Sequence, residues 1–334
     1  MNPALQAVIT IAVGVGGCVG YFWASNLILD KVVFPPRGPN AGANINRANL
    51  IRPWLFLLPA LIALGLYLAY PVFATLWLSF RDESGDAFVG LANYRTMMGE
   101  PKFWESLRNN LLWLIVVPAL STAFGLLAAQ LTDRIGWGNI AKAMIFMPMA
   151  ISFVGASVIW KLVYDVRPAG AEQIGILNAI YLWLGGDAPQ QWLQIPFWNN
   201  FFLMAVLVWI QAGFAMVILS AAIRGIPEET IEAAIIDGAS PLQIFFRIKV
   251  PQIMGTIVVV WTTITITVLK VFDIVLAMTN GEWNTQVLAN YMYAKLFRSG
   301  TGDWGVGSAA AMVIMLLVLP ILVWNVRNAR REMQ

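Results

Sequence analysis

Within the apolar runs of this sequence a few polar and aromatic side chains stand at helical spacing: Trp209, Gln211 and Phe214 in one run, and Thr262, Thr263, Thr265 and Thr267 in the next. Polar groups are costly inside a bilayer unless they face a cavity or a partner, which makes them the default candidates for a path across it. Gln211 and Phe214, three apart, fall on one side of a helix. An aromatic face beside amide and hydroxyl partners suits a neutral, hydroxyl-rich ligand held without covalent chemistry. Packing stands beside binding as a reading, because Thr readily bonds its own helix backbone and aromatic rings fill space. Lys270 and Asp273 are also three apart and are expected to neutralise each other near a membrane boundary, with a gate or an external contact as the alternative.

Other chemistries are poorly supplied. The chain has no histidine, the commonest metal ligand and general base, and its one cysteine, Cys18, has no intramolecular partner for a disulfide. A membrane-embedded enzyme would need converging carboxylate, thiol or metal-ligand groups, and none is evident in the sequence. No G-x-x-x-x-G-K-[ST] phosphate loop occurs, so nucleotide would be handled by another chain. A carrier driven by ion coupling would need membrane-buried acids; Asp273 is the sole candidate, and it is expected to be paired.

The elements that must position these residues follow from charge spacing. Hydrophobic residues make up 59% of the chain and charged ones only 12%, against about a quarter charged in a soluble domain. Charge-free or nearly charge-free runs cover 1–29, 53–80, 109–132, 143–160, 188–223, 250–269 and 304–326. Each approaches the ~20 residues a helix needs to span a bilayer, so the fold expected is an all-α polytopic membrane protein of about seven helices. The first run lacks the basic flank of a secretory signal and is longer than its apolar core, so it is expected to be retained. Gly16 and Gly20 there would permit close helix contact, although plain lipid-facing packing is the simpler reading.

Two units are expected: 1–53, an extra helix followed by a flexible linker over 30–53 carrying Pro35-Pro36, Gly38-Pro39 and Gly42, and a core over 54–334. Residues 171–186 read as a short amphipathic stretch, with Trp192, Phe197 and Trp198 as an interfacial belt. Lys31, Arg37, Arg47 and Arg52 after the first helix, and Arg327, Arg330 and Arg331 near the end, place both segments on the cytoplasmic side. Seven crossings then put Met1 outside and Gln334 inside. The turn around Arg134 and the loop 224–249 fall inside, and 81–108, 161–198 and 280–303 outside. Four basic residues in 81–108 run against the charge bias.

The inner loop, 224–251, carries its own physics. Pro227 suits a first helical turn, Glu228 and Glu229 complement the helix dipole, and Ala233 and Ala234 are small enough for close approach to another surface. Gly238 supplies a left-handed stop; Ser240 and Pro241 cap and open a second short helix that Arg247 and Lys249 close. A helical hairpin of this kind suits docking into a groove, with a solvated re-entry loop as the alternative.

The run Glu232-Ala233-Ala234, with Gly238 four residues on and Ile248 and Pro251 closing, resembles the EAA signature of ABC importer permeases; the usual Leu before the closing Pro is Val250. The stretches Phe88-Val89-Gly90-Leu91-Ala92-Asn93-Tyr94, Phe103-Trp104, Asn109-Asn110, Leu269 to Ile274, and Thr279-Asn280-Gly281 resemble the sugar-importer branch. Glu282-Trp283-Asn284 in place of a Gly-Pro pair, and the run to Asn290-Tyr291-Met292-Tyr293, look most like α-glucoside permeases of the maltose-transporter type. The likeness covers about six helices, from Arg52 onward, and leaves the first helix as an extension. It implies an inner-membrane permease subunit, not an enzyme, that passes a sugar such as maltose, trehalose or sucrose by alternating access. An ion-coupled carrier, or a permease for a non-sugar solute, is the alternative. The implied partners are an ATPase dimer holding ATP and Mg, a second permease and a periplasmic sugar-binding protein, with membrane lipid around and no nucleic acid. The resemblance makes Glu232, Ala233, Ala234, Asp237 and Gly238 the ATPase-coupling residues, sets the sugar cavity between the helices flanking the loop, and makes Gln211, Phe214 and Thr267 its contacts.

Overall fold

A computed structural model describes residues 3–332 apart from 39, 134, 299 and 301. Arg134 and the termini Met1 and Gln334, used above to orient the chain, and Pro39 of the expected linker therefore lie outside the described residues. By internal contact the chain divides into two compact units, Met1–Ala74 and Thr75–Gln334.

The first unit is a helical hairpin. Helix α1 (Pro3–Ile28) continues through a wider turn, Leu29–Val33, and α2 runs Ala41–Leu64. The expected flexible linker over 30–53 is thus mostly helix. Asp30 lies in the turn that prolongs α1 and is tied to Arg52 on α2 by an ion pair at 2.7 Å; the Tyr21 hydroxyl donates to the Leu55 carbonyl at 2.7 Å. These cross-links, with Phe22 edge-on to Phe56 at 5.4 Å, hold the two helices together. Pro53 and Pro59 sit inside α2, as apolar spanning helices tolerate. A second wide turn, Gly65–Ala69, leads into α3 (Tyr70–Leu78).

The second unit is built on α5 (Pro101–Thr132) and α9 (Trp198–Arg224), which pack along a buried seam including Trp113, Val117, Leu203, Leu207 and Met216. Before α5 comes α4 (Ala92–Gly99). Between them and the later helices lie α6 (Gly138–Phe146), α7 (Phe153–Val163) and the short α8 (Ile176–Trp183). After α9 come α10 (Glu228–Ile236), α11 (Pro241–Ile244), α12 (Val250–Gln252), α13 (Met254–Leu269), α14 (Asp273–Met278), α15 (Leu288–Phe297) and α16 (Trp304–Glu332). Helix α6 reaches α9 at Gly213, where a Cβ would lie against the Ile145 carbonyl and 2.9 Å from the Phe146 Cα. Only glycine admits that approach.

Among the described residues five helical segments are long and apolar enough to cross a membrane, and two bent pairs bring the total to seven. The bends fall where the fourth and sixth apolar runs predicted single spans. Gly138–Ala150 meets Phe153–Val163 at 106°, and Pro241–Gln252 meets Met254–Leu269 at 71°. At 1.5 Å per residue the two legs of the first pair rise roughly 20 and 16 Å, so neither crosses a ~30 Å core alone. The cause is local: a tight turn at Met147–Ala150 containing Pro148, extended backbone at Ile151, and a new N-cap at Ser152, whose hydroxyl accepts from the Gly155 N–H at 3.1 Å.

Candidate functional site

Unwound backbone is tolerated at membrane depth only where protein buries it or where it lines a cavity. The break at 147–152 meets both conditions. Met149, Ile151, Ser152, Phe153 and Val154 form one wall of a 530 Å³ cavity whose other walls carry Ile210 and Gln211 of α9, Thr267 of α13 and Asp273 of α14. A second interruption, Lys270 to Phe272, separates α13 from α14 on that opposite wall. The cavity therefore lies between two helix breaks with α9 between them.

The polar groups there are of two kinds. Gln211 is buried, and its carboxamide has no hydrogen-bond partner among the described residues. Thr267 is already engaged as a donor, to the Thr263 carbonyl at 3.2 Å, which leaves its oxygen as an acceptor. Thr262, Thr263 and Thr265 bond back to their own helix at 2.8 to 3.0 Å, the packing alternative weighed from the sequence. Gln211 and Thr267 are thus brought together as expected, and Phe214 is not. Three residues on from Gln211 it lies roughly 60° further round the helix, and its ring packs on the apolar core instead of lining the cavity. Trp209 also turns away, edge-on to Trp160 at 5.8 Å.

The expected neutralisation of Asp273 by Lys270 is absent. Helix α13 ends at Leu269, so the two residues do not share a continuous helical face, and no ion pair joins them among the described residues. Asp273 instead faces the cavity, where it disfavours an anionic occupant and offers acceptors to hydroxyl groups. Of the cavity-lining residues, Ser152 was missed by sequence reasoning, and Asp273 was singled out only as one of a paired set of charges. The signal available was Pro148 followed by a serine cap.

The loop over 224–251 folds as helix, turn and helix. At the end of α10 the Ala239 N–H donates to the Ala234 carbonyl at 2.9 Å and the Gly238 N–H to Ile235 at 3.0 Å, a Schellman closure with Gly238 at φ +77°. Space around Gly238 is open, so the demand for glycine there comes from the backbone alone. Ser240 and Gln243 form a reciprocal capping box opening α11, with bonds of 2.7 and 3.4 Å. Glu232, Ala233, Asp237 and Gly238 are exposed, while Ala234 turns inward and is buried. Beside them Ile236 is 85% exposed, and Ile235, Leu242 and Phe246 are exposed too. This apolar surface was not singled out from the sequence.

Both ends of the loop are tied to the C-terminal end of α5. Arg224 donates to Asp133 at 2.9 and 3.0 Å, and Lys249 to the Gln130 side chain at 3.1 Å. Asp133 also takes hydrogen bonds from Ser220 at 3.0 and 3.2 Å and pairs with Lys142 of α6. Burial pushes the Asp133 carboxyl upward, and the bonds from Lys142, Arg224 and Ser220 outweigh it, holding the group below the usual carboxylate value.

A helical membrane protein that breaks a span beside a cavity, and presents a capped hairpin on one side, has the build of a permease. Residues 121–332 match the family described as binding-protein-dependent transport system inner membrane component, and the chain belongs to that family. The importer-permease resemblance read from the loop is borne out. The chain is 64% identical to the alpha-glucoside transport system permease protein AglF of Rhizobium meliloti across 99% of both chains. It is 49% identical to the osmoprotective compounds uptake permease protein GgtC of Synechocystis, over 83% of this chain and 99% of that one. A crystal structure of a bacterial ABC transporter involved in import of the acidic polysaccharide alginate contains a chain of the same fold, with a TM-score of 0.72 at 21% identity, covering 86% of this chain and 98% of that one.

Two outcomes are expected from the loop geometry. Gly238→Val, which forces a β-branched residue to positive φ at a cost of about 1–3 kcal/mol, should insert normally yet lose transport; wild-type uptake by membrane-inserted variant would contradict this. Because the folded Asp133 carboxyl titrates below its unfolded value, near ~3.9, its contribution is complete above that value and lost as the pH falls through the folded one. Asp133→Ala should therefore lower stability at pH 7 by about 1–3 kcal/mol. In thermal unfolding the gap to wild type should close as the pH drops below that range.

Proposed function

We propose that this chain is the membrane-spanning subunit through which an ATP-driven importer passes a neutral sugar, an α-glucoside such as maltose, trehalose or sucrose, into the cytoplasm. The observation that carries this reading is the unpartnered Gln211 carboxamide on the wall of the central cavity, with the Thr267 oxygen and Asp273 beside it. The amide is open to the cavity, so its donors and acceptor are free for a hydroxyl-rich solute. The name of the 64% identical relative supports the same solute class.

Coupling is assigned to the hairpin, where Glu232, Ala233, Asp237 and Gly238 lie on the exposed side and Ala234 anchors it from within. The exposed Ile235 and Ile236 suit insertion into a cleft on a separate ATPase dimer. A second permease completes the path, and a periplasmic binding protein delivers the sugar. Met1 is assigned to the periplasmic side and Gln334 to the cytoplasmic side, since the basic residues of 31–52 and Arg327 belong inside. The side chains support consistent sidedness. Asp133 and Arg224 bind each other at one end of the bundle, and Asn109 and Asn199 bind the 283–286 loop at the other.

Gln211→Ala should reduce sugar uptake by about tenfold while sparing membrane insertion and the basal ATPase rate of the assembled complex. Phe214→Ala should act mainly by loosening the core, lowering thermal stability with a smaller effect on the sugar concentration for half-maximal uptake. Wild-type uptake by Gln211→Ala at all sugar concentrations would place the contacts elsewhere. For the hairpin, a cysteine at Ala233 should crosslink to the ATPase, and Glu232→Lys should uncouple hydrolysis from uptake. Failure to capture the ATPase in any nucleotide state would refute the docking assignment.

A further inference from the structure

Resting on that reading, we propose a second solute site in this chain, an outer vestibule that holds a neutral, polyhydroxylated ring before it reaches the central cavity. A separate cavity of 490 Å³ lies at the outer end of the α5–α9 seam, lined by Trp104, Glu105, Arg108, Asn109, Asn200 and Asn284, with Phe197 at its edge. Its volume lies within the ~300–1,000 Å³ of small-molecule sites. Asn200 and Gln211 are both on α9, so the two cavities are separated by roughly 16 Å along its axis.

Its walls are built and incompletely satisfied. Asn109 donates to the Asn284 and Gln286 carbonyls at 2.9 and 2.8 Å, and Glu105 accepts the Gln286 N–H at 3.1 Å, which fixes the 284–286 segment against α5. Asn200 is 3% exposed; its amide donates to Asn199 and to the Asn284 carbonyl, while its Oδ1 has no partner. Arg108 likewise has no hydrogen-bond or ion-pair partner among the described residues. The Arg108 donor and the Glu105 carboxylate acceptor thus stand in one cavity beside the exposed Trp104 and Phe197, with the unpartnered Asn200 Oδ1 sealed in the wall. That combination matches a sugar ring, whose hydroxyls both donate and accept and whose C–H face stacks on aromatic rings. A lipid phosphate would satisfy Arg108, but it would face the Glu105 carboxylate.

Two of the lining residues are held in the left-handed region, Phe197 at φ +67° and Asn284 at φ +62°. The surrounding bonds hold them there, and the strained backbone presents the Phe197 ring to the cavity mouth.

The test uses the intact importer complex in lipid nanodiscs, without its binding protein, and radiolabelled maltose and trehalose as probes. Wild type should show two classes of site. Trp104→Ala and Arg108→Gln, both at solvent-reachable positions, should each weaken the outer class by about tenfold, leaving the central class and the basal ATPase rate unchanged. Gln211→Ala should do the reverse. A single class of site, indifferent to Trp104 and Arg108 yet lost in Gln211→Ala, would overturn the vestibule and leave the central site standing. Competition by phosphatidylglycerol in place of phosphatidylcholine discs would assign the cavity to a lipid, and a crosslink from a cysteine at 104 to the sister permease would assign it to the subunit interface; either overturns the proposal. Absence of binding of both sugars, in a complex that still hydrolyses ATP with its own binding protein, would sink the sugar reading and the vestibule together.

Discussion

The structure of the second unit depends on one constraint: no backbone amide or carbonyl can be left unpaired in the bilayer without costing several kcal/mol. An interruption at 147–152 breaks helical pairing within a candidate span, another at 270–272 ends α13, and their placement shows how the constraint is met. Both are set against the cavity beside α9, the most buried of the spanning helices. Water or solute in that cavity can serve the freed backbone groups where lipid could not. Helix breaks, cavity and the central position of α9 are therefore one solution to a single problem.

Helix α5 organises what surrounds that solution, using opposite chemistry at its two ends. Towards its N-terminal end the side-chain amides of Asn109 and Asn110 take up the backbone leading into α15, including the Leu288 N–H at 2.7 Å. At its C-terminal end Gln130 and the carboxylate Asp133 hold both flanks of the hairpin. Neutral amides suit the first because that segment presents backbone carbonyls and N–H groups together. A carboxylate suits the second because Lys142 and Arg224 converge there with cationic groups that need an anion.

How much of this could be read in the sequence follows from which signals are local. The seven apolar runs and the hairpin with its Gly238 stop and Ser240 cap were legible, because hydrophobic length and capping chemistry act over a few neighbouring residues. Gln211 could be singled out because an amide in an apolar run stands out by type. The role of Phe214 could not: whether a ring three residues on faces the cavity or the core is set by how α9 is rotated against its neighbours, a tertiary matter. Lys270 and Asp273 misled for a related reason. Helical spacing implies a shared face only if the helix continues between the two residues, and nothing in Val271-Phe272 announces the break. The linker reading failed from Ala41 on, where α2 begins past Pro35, Pro36 and Gly38 and is tied back by the Asp30–Arg52 pair.

The clasp at Asp133 also links the hairpin to the cavity walls. Asp133 is bonded at once to Ser220 and Arg224 on α9 and to Lys142 on α6. Helix α9 carries Gln211 on the cavity wall, and α6 leads directly into the break whose Ile151 and Ser152 form the wall opposite. Gly213, two residues beyond Gln211, holds α6 and α9 in backbone contact between the clasp and the cavity. Close-packed interiors move as whole elements instead of deforming continuously. The hairpin and both cavity walls are thus joined through elements already in contact.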